Sequence, residues 1–186
     1  SKLSLLPEYK IELAPNEHLV IQIGGSFDDT NRNDSKFSLI SNIAWGRQHY
    51  NGNSESVYLS YSETSQVVGY TAIGGSETTG LFRSNHDLGR EKTQNVEIGT
   101  KAIRQDCSIE AAVFYRWDDN LVDWTFAGPS AREANPVDIE TFGLELIASK
   151  RWNTIEAIAS YTHLNKDEDY GNDSIDASFY ALNYAK

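Results

Sequence analysis

The residues best suited to hold a solute fall into two groups. Tyr70, Phe82, Arg83 and His86 lie in a Gly/Ser/Thr-rich stretch, 64–92, and Trp124, Phe126 and Arg132 lie in another, 118–137. Each group combines aromatic faces with cationic or ring-nitrogen donors, the chemistry for stacking on a sugar or gripping an anionic metal chelate. Both are expected to contribute ligand contacts. Residues for covalent or metal chemistry are present but badly spaced. His18, His49, His86 and His163 fit no zinc-protease spacing, and Cys107, the single cysteine, allows neither an intrachain disulfide nor a cysteine metal cluster. The neighbouring acids Asp118 and Asp119, or Asp167, Glu168 and Asp169, could be imagined as a glycosidase pair, yet loop acids in an acidic chain are ordinarily solvated. The segment "NKDEDYGNDS" clusters hard oxygen donors around Gly171 without the ordered spacing of a calcium loop. There is no GxSxG elbow, and the glycine pairs at 24–25 and 74–75 make no phosphate-binding fingerprint. No catalytic residue, metal or cofactor is assigned, and the chain is not expected to be an enzyme.

The elements that must position these groups are strands. Period-two alternation is the dominant signal, and it places about nine of them. "EYKIEL" puts Tyr9, Ile11 and Leu13 on one face, and after "APNE" the next strand puts Leu19, Ile21 and Ile23 on one face against His18, Val20 and Gln22. Further strands follow in "FSLISNIAW", "VYLSYSE", "NVEIGTK", residues 109–117, "DIETFGLELIASKRW", "IEAIASYTHL" and "DASFYALNYAK". The faces opposite the apolar ones carry Glu97, Lys101, Glu110, Arg116, Glu145, Arg151 and Glu156 among small residues. Connections alternate in length. They are short at 14–17, 105–108 and 151–154 and moderate near 47–55, but long at 28–36, 64–92, 118–137 and 165–175. Short turns at one end and long loops at the other mark an outer-membrane β-barrel.

Composition agrees with that reading. The chain has 186 residues in one expected domain, and its 27 acidic against 16 basic residues leave a formal charge of −11, which disfavours nucleic acid as a partner. No apolar run of about 18 residues exists to make a spanning helix, but spanning strands alternate and keep hydropathy low. Trp45, Tyr61, Tyr115, Trp117, Trp152 and Tyr161 fall toward strand ends on or near the apolar parity, as in an interfacial girdle. The fold expected is all-β, an antiparallel up-and-down meander of about 8–10 strands forming a transmembrane barrel or part of one. Two alternatives share the alternation: a soluble β-sandwich carbohydrate-binding module and a small passive outer-membrane pore.

Several segments in order resemble the barrel of TonB-dependent outer-membrane receptors. They are Val57–Ser62 ("VYLSYS"), Asn85–Gly99 ("NHDLGREKTQNVEIG"), Ala111–Val122 ("AAVFYRWDDNLV"), Gly143–Leu146 ("GLEL") and then "SYTHLNKDEDY", and the resemblance covers roughly residues 8–186. It implies uptake of a siderophore, cobalamin or oligosaccharide across the outer membrane of a Gram-negative-type bacterium, with outer-membrane lipid as surroundings. It also implies an energy-coupling TonB-type partner that acts through a plug. Neither a plug, a coupling box nor a terminal aromatic strand is recognisable, and such barrels have about 22 strands. The expectation is therefore a partial barrel, with raw sheet edges at 8–13 and 176–186.

Overall fold

A computed structural model describes residues 1–31, 33–126 and 129–169. Its strands are β1 (Lys2–Leu5), β2 (Glu8–Ala14), β3 (Glu17–Asp28), β4 (Lys36–Gln48), β5 (Ser54–Gln66), β6 (Phe82–Arg83), β7 (Glu91–Arg104), β8 (Cys107–Thr125), β9 (Arg132–Trp152) and β10 (Ile155–Asp169). A single helical turn, α1 (Tyr70–Ile73), lies between β5 and β6. All strands belong to one sheet in the order β1-β3-β4-β5-β7-β8-β9-β10, with β2 also on β3 and β6 on β9. Every pairing is antiparallel except β6 with β9.

Strands β1 and β2 are one edge strand with a break. Leu5 faces Gly25 and Glu8 faces Gln22, so register is kept across Leu6 and Pro7 while pairing lapses there. A proline has no N–H for the ladder and is tolerated at an edge. Opposite the break, a Cβ on Gly24 would come within 2.9 Å of the Leu6 Cα, so only glycine lets the two backbones approach this closely.

Register converts alternation into two continuous surfaces. Tyr9, Ile21, Ile43, Leu59, Ile98, Val113 and Leu144 are successive cross-strand partners, an apolar row over seven strands. One position along, Glu8, Gln22, Asn42, Ser60, Glu97, Phe114 and Gly143 form the corresponding row on the other face. The Gln22 amide donates to Glu8 (2.8 Å) and the Asn42 amide to Gln22 (3.1 Å), so this row is also wired by hydrogen bonds. The apolar row is not sealed in a core: Ile43 and Leu59 are 46% and 49% exposed. That overturns the β-sandwich alternative, which needs these side chains pressed between two layers. Among the described residues β1 and β10 do not pair, so these strands form an open sheet, part of a barrel.

The four short connections sit at one end, and each contains a residue with left-handed backbone: Asn16 (φ 66°), Gly52 (82°), Gln105 (50°) and Asn153 (48°). Such a residue turns the chain back within two to five positions. The long end needs three corrections, the first being that the expected loop at 165–175 is strand as far as Asp169, where β10 ends. The expected loop at 118–137 is mostly strand, because β8 runs to Thr125 and β9 starts at Arg132. A bulge hid it: Asp118 faces Ile139 and Leu121 faces Val137, so β8 carries one extra residue around Asn120 (φ 55°) and its alternation changes phase. The 64–92 stretch is a shorter loop, 67–90, holding α1 and β6. The predicted strand at 176–186 lies outside the described residues.

Several rings lie over glycines of the neighbouring strand. Tyr58 covers Gly99, Phe114 covers Gly143 and Phe37 covers Gly25, so a side chain on any of these glycines would displace a ring. Gly143→Val should therefore destabilise the lipid-refolded chain by about 1–3 kcal/mol through overpacking against Phe114, read as a lowered urea midpoint. An unchanged midpoint would mean the ring has room to move.

Candidate functional site

At the long-loop end the extended β8–β9 hairpin is capped by the 67–90 loop. After the bulge, Val122 and Trp124 take the parity of Ala134, and this face becomes the floor of a small core. Val68, Ala72 and Ala134 are buried there, with Ile73, Leu88, Val122 and Trp124 packed against them. β6 then lies parallel to the start of β9, pairing Phe82 with Arg132 and Arg83 with Glu133. The Arg132 amide donates to the Leu81 carbonyl (2.8 Å).

Five of the seven expected ligand residues lie in this cap, and four of them meet one another. Phe82 meets Trp124 edge-on with ring centres 5.2 Å apart, and the Arg132 guanidinium lies 4.9 Å from the Phe126 ring centre and 6.0 Å from that of Phe82. Arg83 donates to Glu133 (3.3 Å). Tyr70 and His86 are engaged elsewhere in the loop. The Tyr70 ring covers Gly74 and stays 72% exposed, while the His86 ring lies 3.1 Å from the Gly75 carbonyl and 3.5 Å from Glu77. Trp124 serves chiefly to hold the loop down. Phe82, half exposed, and Arg132 remain the members that present a face outward.

Sequence reasoning missed Arg90 as a positioning residue. Its Nε donates to the Asp34 carbonyl (2.8 Å) and its Nη1 to Asp28 (3.0 Å) and Ser65 (3.3 Å), tying the 67–90 loop to β3, the β3–β4 connection and β5. Its partners are up to 62 positions away, so no local pattern announces it. Glu91 was missed for the same reason: buried, it accepts the Val122 amide (2.9 Å) and bonds the Gln66 side chain. Among the described residues no three His, Cys, Asp or Glu side chains converge as a metal site.

At the opposite, short-turn end the outward parity carries a paired charge belt. Glu17 accepts from the Trp45 indole (2.9 Å) and Arg47 (2.6 Å), Arg104 bonds Glu55 (2.6 Å), and Lys150 bonds Asp106 in the adjacent turn (2.8 Å). Hydrogen bonds from Arg47 and Trp45 hold the Glu17 carboxyl below its ordinary range, Arg104 does the same for Glu55, and Lys150 for Asp106. Lowered folded values mean the pairing stabilises fully above the unfolded carboxylate range and is lost as pH falls through the folded values. On the long-loop side the outward ring Tyr61 donates to Glu63 (2.5 Å) and Tyr115 to Glu140. Amphipathic rings with anchored polar tips thus border the apolar band at both heights.

Two outcomes follow. Trp124→Ala should remove the loop's main anchor and raise the rate of proteolytic cleavage within 67–90 by about tenfold or more while the sheet stays intact by circular dichroism, since cleavage tracks the open population. For the charge belt, the urea midpoint should decline as pH is lowered from neutrality through the carboxylate range. Glu17→Gln should shallow that decline.

A family model described as TonB dependent receptor-like, beta-barrel, matches residues 8–185. Among solved structures, the copper transporter OprC is similar with a TM-score of 0.59 at 13% identity, over 93% of this chain and 30% of that one. At that identity the likeness is one of fold. The chain therefore spans less than a third of that transporter's length. No curated protein matches the sequence.

Proposed function

We propose, from the premise that this chain belongs to the TonB-dependent receptor β-barrel family, that it supplies part of the wall and mouth of an outer-membrane receptor importing a scarce nutrient. The observation that carries this reading is the exposed apolar row from Tyr9 to Leu144, continuous over seven strands, with polar side chains opposite it from Glu8 to Glu97. Hydrocarbon accepts such a surface only where every backbone donor and acceptor is paired within the sheet. Water does not favour it, because monomeric soluble proteins rarely expose contiguous apolar patches of that extent.

In this role the outward face meets outer-membrane lipid of a Gram-negative-type cell, and the other face meets an aqueous interior. The cap formed by 67–90 and the β8–β9 hairpin stands outside, where Phe82 and Arg132 would contact the incoming solute, a siderophore, cobalamin or oligosaccharide. Trp124, Phe126 and Arg83 hold that pair in place, with Tyr70 and His86 on the same loop. Energy from a TonB-type partner would reach the solute through a plug set against the lumenal row. The chemistry is binding and passage, with no covalent step.

The parity assignment is testable with paired substitutions on β5. Leu59→Arg, on the outward row, should cost about 2–4 kcal/mol in vesicle-refolded protein, whereas Ser60→Arg, its lumenal neighbour, should cost under about 1 kcal/mol. Equal effects, or a chain that stays folded and monomeric in buffer without detergent, would remove the membrane reading.

A further inference from the structure

On the outward parity at the short-turn end, charges alternate in sign from strand to strand. Glu17, Arg47 and Glu55 are successive cross-strand partners on β3, β4 and β5. Glu55 then faces Ala102, and the line continues two residues nearer the turns through Arg104 on β7 and Lys150 on β9, with Lys150 bonding Asp106 in the β7–β8 turn (2.8 Å). Such a step suits a barrel wall, whose strands tilt by about 35–45°, so that a line of constant height cuts across the register. Trp45 and Trp152 share this parity and this end, and the Trp45 indole donates to Glu17 (2.9 Å). The belt therefore lies at the height of the headgroups of the periplasmic leaflet, where amphipathic rings settle.

Although the chain carries a net charge of −11, this belt sums to zero, with Glu17, Glu55 and Asp106 set against Arg47, Arg104 and Lys150. A run of lysines and arginines would draw anionic headgroups by about 1 kcal/mol for each cation. A balanced run has no such pull. Pairing within the belt is least complete at Glu55. Its Oε2 accepts from Arg104 (2.6 Å), but Oε1 is approached only loosely, by Arg47 at 3.9 Å and by His49 at 3.4 Å. An ionised carboxylate has about four acceptor positions, so Glu55 keeps capacity on its outer oxygen. Arg47 and Arg104 stand on either side of it, 43% and 47% exposed.

We propose that Glu55, flanked by Arg47 and Arg104, is a docking site for the headgroup of a zwitterionic phospholipid with a primary ammonium, phosphatidylethanolamine. The ammonium donates to Glu55 Oε1, and the phosphate of the same headgroup lies against one of the two guanidiniums. Neighbouring strands are about 4.8 Å apart, a spacing of opposite charges that suits a phosphate and an ammonium joined by a short ethylene link. Both contacts are charge-assisted hydrogen bonds, stronger than neutral ones. Phosphatidylcholine has the same charges but no N–H to donate, and phosphatidylglycerol brings a net negative charge to a belt with no net positive one. The inference rests on the barrel reading, which makes this the lipid face, and adds a preference for one lipid over others.

The test is titration of the full chain, refolded in detergent micelles, with the dihexanoyl forms of phosphatidylethanolamine, phosphatidylcholine and phosphatidylglycerol. The readout is the emission of Trp45, identified by its loss in Trp45→Phe. Phosphatidylethanolamine should shift that emission at a concentration about tenfold or more below the other two. Glu55→Gln should bring it level with phosphatidylcholine and, by leaving the belt one cation in excess, make phosphatidylglycerol the tightest of the three. Glu156→Gln, on the lumenal parity at the same end, should change none of them. Equal response of the unmodified chain to phosphatidylethanolamine and phosphatidylcholine would overturn the proposal, as would tightest binding of phosphatidylglycerol there, a preference that survives Glu55→Gln, or one lost in Glu156→Gln. Should Glu55→Gln fail to fold, the three-lipid comparison on the unmodified chain decides. A chain that stays folded and monomeric in buffer without detergent refutes the barrel reading itself, whereas one that folds in micelles but takes the ethanolamine and choline lipids alike refutes only the headgroup site.

Discussion

A backbone surrounded by hydrocarbon has no water to satisfy its N–H and C=O groups, and the whole architecture follows from meeting that demand inside one sheet. Thirteen-residue strands such as β4 and β5 pair along most of their length with both neighbours, leaving side chains to sort themselves by parity. Because the period is two, a slip by a single residue would send Ile43, Leu59, Ile98 and Val113 to the wet face together. Register is therefore held at several points. Gly99 and Gly143 receive the rings of Tyr58 and Phe114, and the short turns place a left-handed residue where the chain must reverse. These are the same segments that resemble the receptor family, and their residues prove to have architectural work: Leu88 packs the cap, Glu91 holds Val122, and Gly99 makes room for a ring.

Above the membrane the constraint relaxes, and the sheet changes its rule. One additional residue in β8, near Asn120, turns Val122 and Trp124 onto the side of Ala134. What is a lipid-facing parity lower down becomes, a few residues higher, the floor of a small protein core covered by the 67–90 loop. A bulge at a barrel rim thus converts one surface from meeting solvent hydrocarbon to meeting the chain itself. Phe82 and Arg132 reach one another only because that loop is docked, so loop packing and the placing of these two side chains are parts of a single arrangement.

Charge is distributed by height and by face. At the short-turn rim Glu17, Arg47, Glu55 and Arg104 neutralise each other in exposed pairs, each of small energetic worth. On the other face Asp118 and Glu91 are buried, each holding partners within the sheet.

The sequence alone determined most of the described strands, their two faces and the short connections, because a period of two is local and each residue votes for its own face. It also determined which loops carry aromatic and cationic side chains. It did not reveal the β8–β9 extension, since a bulge breaks the period at Asp119 and Asn120 and the flanking alternation then reads as irregular. Only the tertiary structure decided that Phe82, Trp124, Phe126 and Arg132 meet while Tyr70 and His86 do not, and that Arg90 joins Asp28 across 62 positions. Those contacts depend on where a long loop lands and on how far the sheet curls. Both are set by packing between distant strands, which no local pattern records.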